Sequence, residues 1–113
     1  MEVEIRTKDF SITDAIRQHA ERRLGFALDR FHNVRHVTVC IGDLNGPRGG
    51  SDKFCRIAAE LDSAMAVVEE VQPDLYVAID HATHRLAVKV ARELGKDSRL
   101  APTRSRKAYG GAA

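Results

Sequence analysis

From Asp74 to Lys96 the apolar residues Leu75, Ile79, Ala82, Leu86, Val90 and Leu94 recur at three- and four-residue intervals. That is the stripe a helix needs to dock on a core. Upstream the period changes. Glu2 to Thr7 alternates Val3 and Ile5 with Glu2, Glu4 and Arg6, the period of two expected of a strand with one buried face. Ser11 and Thr13 then offer helix caps, and Asp14 sits where the helix dipole favours an acid. The spacing of Ile16, Ala20, Leu24, Ala27, Leu28 and Phe31 predicts a helix over 13–31. Val37, Val39 and Ile41 alternate with His36, Thr38 and Cys40 in a second strand. Cys55, Ile57, Ala59 and Leu61 alternate with Phe54, Arg56, Ala58 and Glu60 in a third. Asp62 and Ser63 turn the chain into a fourth strand, AMAVVEEV, which Gln72 and Pro73 stop before Asp74 caps the final helix.

The predicted order is β-α-β-β-β-α. Three consecutive strands with short or glycine-rich connections make an antiparallel meander, and each has one apolar face to cover. The two amphipathic helices can cover it, so the expected fold is α+β, a two-layer sandwich with a four-stranded sheet and both helices on one face. The first strand is expected beside the second, because a right-handed crossover then lays the first helix on the covered face. Residues 44–52, LNGPRGGSD, can only be a loop.

The chain has 113 residues, 43% hydrophobic and 30% charged, which suits one globular domain with a modest core. No run approaches the ~20 apolar residues that span a bilayer. The opening MEVEIRTKDF lacks the apolar centre of a signal peptide, so a cytoplasmic location is expected. Cys40 and Cys55 have neither knuckle spacing nor scaffold density and read as reduced strand cysteines. Lys96, Arg99, Arg104, Arg106 and Lys107 stand against Asp97 alone. The segment from 96 onward therefore carries +4 within a net charge of +2, leaving −2 for residues 1–95. A domain over 1–96 followed by a basic disordered tail over 97–113 is expected.

Within that slightly acidic body the helical cations are sorted by side. Arg85, Lys89, Arg92 and Lys96 step by four, three and four residues and form one line beside the apolar stripe, with His81 a turn before them. His19, Arg23 and Arg30 share one flank of the first helix. Lined-up cations repel one another, a cost that an anionic rail such as a nucleic-acid backbone offsets. Local pairing with Glu93 is the plain alternative for part of the row. If the helices are neighbours, the two basic sets are expected to share the groove between them or its rims. Phe26 falls on the basic side near Arg23 and Arg30, where its ring is read as a half-buried flank of the core in preference to a stacking residue.

Catalytic and cofactor chemistry is expected to be absent. Asp80, His81 and His84 form D-H-x-x-H without the glutamate a hydrolytic zinc helix needs, so no metal is expected. GPRGG lacks the GK[ST] ending of a phosphate loop and does not lead from a strand into a helix, although Arg48 at its tip can reach a phosphate. No Ser, Cys or Lys is accompanied by a base.

The opening VEIRTKDFSITDAIRQHAERRL, the DLYVAID start of the last helix and its basic continuation RLAVKVAR together resemble the ribosome hibernation-promoting factor and ribosome-associated inhibitor family. The resemblance covers about residues 1–96. It implies a fold similar to a double-stranded RNA-binding domain. It further implies binding to the 16S rRNA-lined mRNA and tRNA channel of the 30S ribosomal subunit, silencing idle ribosomes under starvation and in stationary phase. Basic helix positions contact rRNA in that family; by position they are Arg23, Arg85, Lys89 and Arg92, while Arg22 points away. With Arg30 and Lys96 from the charge pattern, the candidate RNA-binding set is Arg23, Arg30, Arg85, Lys89, Arg92 and Lys96. The chain departs from the family at its long glycine-rich loop over 45–50 and at Phe26, where a cation is common. No second, ribosome-pairing domain is expected after Lys96, so the chain looks like a short member. A general double-stranded RNA binder and a protein-interaction adaptor using the sheet face or glycine-rich loop are the alternatives.

Overall fold

The computed structural model describes residues 1–8, 11–43 and 52–97, the side chains of residues 96 and 97 excepted. The elements follow in the predicted order: β1 (Glu2–Lys8), α1 (Asp14–Leu28), β2 (Val34–Asp43), β3 (Lys53–Leu61), β4 (Met65–Gln72) and α2 (Leu75–Asp97). The four strands form one sheet in the order β1-β2-β3-β4. β1 runs parallel to β2 with Val3 beside Val37 and Ile5 beside Val39, and the remaining pairs are antiparallel. The expected two-layer α+β sandwich is the observed architecture.

Period-two alternation sets which side chains enter the core. Val37, Val39 and Ile41 of β2 and Cys55, Ile57 and Ala59 of β3 are fully buried, while Arg56 and Glu60 between them are exposed. The helices lay Ala20, Leu24 and Leu28 of α1 and Ala78, Ile79, Ala82, Leu86 and Val90 of α2 over that face. Full burial of a Leu, Ile or Val side chain stabilises by about 1.5–3 kcal/mol, so this interior dominates the stability. Cys55 points into it and Cys40 towards the opposite face of the sheet, and both thiols are free. Burial pushes the Cys55 thiol up to about 12, which makes it unreactive at neutral pH.

Helix ends follow local chemistry. The Thr13 hydroxyl accepts the Ile16 N–H at 3.2 Å, and an Asp74 carboxylate oxygen accepts the Tyr76 N–H at 2.9 Å. At its other end α1 stops at Leu28, three residues before the predicted boundary at Phe31. The Phe31 N–H donates to the Leu28 carbonyl at 2.9 Å, and Phe31 still packs against the core. The chain must turn here to enter β2 at Val34, so Arg30 stands in that turn. Asp62 in the β3–β4 turn accepts from Asn33 at 2.9 Å and Arg35 at 2.6 Å, tying the start of β2 to the neighbouring hairpin.

Among the described residues no helix is long and apolar enough to cross a membrane. Residues 44–51 of the glycine-rich loop, Arg48 among them, and residues 98–113 of the expected tail lie outside the described residues, while Asp97 is the last residue of α2.

Candidate nucleic-acid interface

The apolar stripe of α2 faces the sheet, which leaves two flanks with different neighbours. On one side lies β4, an edge strand whose outer carbonyls have no strand to pair with. Arg85 Nη1 donates to the Glu69 carbonyl at 2.8 Å and to Glu70 Oε2 at 2.5 Å. Lys89 Nζ donates to the Val67 carbonyl at 2.9 Å. Val67 and Glu69 are alternate residues, so their carbonyls leave the strand on the same side, and the two cations seal that edge. The Arg85 guanidinium holds the Glu70 carboxyl below the usual carboxylate range, chiefly through its hydrogen bond. His81 also turns towards this flank, 3.7 Å from Glu70. Arg92, further along the same line, is exposed and has no ion-pair or hydrogen-bond partner among the described residues. The backbone of Lys96 lies in the last turn of α2, and its side chain is outside the description.

The other flank of α2 faces α1. Asp80 reaches across to His19 Nε2 at 2.7 Å and Arg23 Nε at 3.2 Å, and the His19 ring meets Tyr76 edge-on with centroids 4.9 Å apart. Thr83, almost fully buried, satisfies its hydroxyl by donating to the Asp80 carbonyl at 3.0 Å. Beyond these contacts the helices part over a shallow depression of about 320 Å³. Arg23, Phe26 and Arg30 line it on the α1 side, and His84, Ala87 and Val88 on the α2 side. Arg30 lies 4.7 Å from the Phe31 ring centroid and has no carboxylate partner among the described residues.

Two expectations are thereby corrected. The α2 row does not share the inter-helix groove: Arg85 and Lys89 lie on the β4 side, Arg23 and Arg30 on the α1 side. Periodicity sets angles about a helix axis, but which neighbour stands on which flank depends on the packing of the whole sheet layer. Phe26 is not a half-buried flank of the core, because 81% of it is exposed. On α1 it projects outward from the basic flank, away from the stripe formed by Ala20, Leu24 and Leu28. Its position three residues after Arg23 was the visible signal for a surface role. Val88 and His84, opposite Phe26, carried no comparable signal. Asp80 and His81 of the D-H-x-x-H motif point to different flanks, with Asp80 engaged by α1.

Over residues 3–98 the chain matches the family model described as Sigma 54 modulation protein / S30EA ribosomal protein. Among solved structures it is similar to the N-terminal domain of Protein Y from Thermus thermophilus. The TM-score is 0.71 at 29% sequence identity, covering 82% of this chain and 99% of that one. A ribosomal subunit interface protein from Coxiella burnetii superposes with a TM-score of 0.75, covering 84% of this chain and 99% of that one. At 14% identity that likeness speaks to the fold alone. No curated protein matches the chain.

Proposed function

The chain belongs to the Sigma 54 modulation protein / S30EA ribosomal protein family, that of the ribosome hibernation-promoting factors, and from this premise we propose that it is a non-catalytic translation inhibitor. It acts in the cytoplasm by occupying the mRNA and tRNA channel of the 30S subunit against 16S rRNA. The observation that carries the reading is the outer surface of the helical layer. Arg30 and Arg92 stand there without carboxylate partners among the described residues, and Arg23 borders a depression whose lining includes no acid. Such cations neutralise backbone phosphates and release counterions. Affinity should therefore fall by roughly 0.7 to 0.9 log units per log unit of salt for each phosphate engaged.

Arg23, Arg85 and Lys89 remain in the proposed contact set with a second duty, since each also makes a contact within the protein. Lys96 belongs to the set by sequence position. The sharpest test uses the cations that have no carboxylate or carbonyl partner among the described residues. Arg30→Glu combined with Arg92→Glu should abolish co-sedimentation with purified 30S subunits, while the melting temperature falls only by the small amount that loss of the Arg30–Phe31 contact costs. Undiminished co-sedimentation of that variant refutes the proposed surface.

A further inference from the structure

We propose that Phe26 is the platform of a seat for one unpaired RNA base, with Arg23 and Arg30 holding the flanking phosphates. This deepens the RNA-binding reading above and rests on it. A phenylalanine 81% exposed on an outward helix face gives the core nothing. Val88, 45% exposed, offers a second apolar surface across the same depression, and the small side chains of Ala27 and Ala87 keep the floor low. A flat aromatic ring beside cations, in a hollow without a lining carboxylate, is the combination that accepts a stacked base and its phosphates. Asp80, on the α2 side of the seam between the helices, is already held by His19 and Arg23.

Charge separates this occupant from its rivals. An apolar protein segment would cover Phe26 and Val88 but leave Arg23 and Arg30 facing a surface that does not answer them. A second copy of the chain docked symmetrically through this patch would bring the same two arginines against their own equivalents, which repel. Single-stranded RNA supplies both a π-face and negative charge. Duplex RNA keeps its bases stacked internally and supplies only the charge.

The full chain and its Phe26→Ala, Phe26→Leu and Phe26→Trp variants are titrated into a labelled single-stranded RNA and into a blunt duplex of the same length. The Ala and Leu variants should bind the single strand about tenfold more weakly and the duplex unchanged, with the salt slope unaltered because no phosphate contact is lost. The Trp variant should keep wild-type affinity. Since the chain has no other tryptophan, its emission reports the seat alone and should be quenched by the single strand but not by the duplex. Equal single-strand affinities for wild type and Phe26→Ala overturn the inference, as does an unquenched tryptophan. A concentration-dependent dimer that Phe26→Ala abolishes, with RNA affinity unchanged, overturns it in favour of a second copy. Co-sedimentation with 30S subunits distinguishes the two levels. Binding by wild type and Phe26→Ala alike, with no single-strand preference, leaves the ribosomal reading standing and removes this one. No binding to subunits, with the single-strand discrimination intact, does the reverse.

Discussion

Cations stand on both sides of α2 and do different work. Towards β4, Arg85 and Lys89 spend their donors on the carbonyls of Glu69 and Val67 and on Glu70. Towards α1, the hollow beside Arg23 holds an exposed aromatic ring, and Arg30 keeps its guanidinium over Phe31. A cation that closes an edge strand is part of the fold even where half of it is exposed. A cation without a carboxylate or carbonyl partner can give its charge to a ligand at little cost to the protein. Lining up arginines on a helical projection cannot separate these cases, because the partners come from elements distant in the chain.

Double charge reversals of two cations without carboxylate or carbonyl partners and of the two that close the edge strand give the largest contrast. Arg30→Glu with Arg92→Glu should eliminate subunit binding at a melting temperature lowered only by loss of the Arg30–Phe31 contact. Arg85→Glu with Lys89→Glu should instead lower the melting temperature by on the order of 10 °C, since it sets new carboxylates against Glu70 and two carbonyls. Equal melting temperatures for the two variants, measured by calorimetry, would erase the distinction. A smaller effect isolates the edge seal. Lys89→Met keeps the length of the side chain but leaves the Val67 carbonyl without its donor, and should cost about 1 kcal/mol in urea unfolding. An unchanged midpoint would mean that water replaces the ammonium without loss.

The smallest effect is a pH signature. The Arg85 hydrogen bond lowers the Glu70 carboxyl below its ordinary value of 4.5. The folded state therefore binds that proton less readily than the unfolded chain. The resulting stability is fully present above pH 4.5 and is lost as pH falls through the lower folded value. In Arg85→Gln most of the difference should vanish, so the stability gap between wild type and variant should narrow as pH is lowered from 7 to below 4. A gap constant across that range would assign the contribution of Arg85 to its bond with the Glu69 carbonyl instead. Because Arg85 is half exposed, the whole effect stays small.

Legibility from the sequence varied with the range of the interaction. Thr13 and Asp74 mark helix starts through bonds to residues two and three positions away, and both caps are where the sequence puts them. The alternation of Val37, Val39 and Ile41 sorts side chains between faces residue by residue, and every one of the three is buried. The end of α1 is not local. Leu28, Phe31 and the intervening residues continue a helical period, but the strand that begins at Val34 forces a turn and carries Arg30 out of the helix. Phe26 failed as an expectation for a related reason: its angle on α1 was correct, but whether anything covers that angle depended on where α2 sits.

By itself, then, the sequence determined the element order, the buried face of each element and the grouping of cations by helix side, because these depend on periodicity and on contacts within a few residues. Only the tertiary structure decided which cations remain without a carboxylate or carbonyl partner among the described residues. Pairing Lys89 with Val67, Arg85 with Glu70 and Arg23 with Asp80 requires the sheet order and the placement of both helices on it. Those partners lie on separate elements of the chain, and no pattern along a single element encodes their distance.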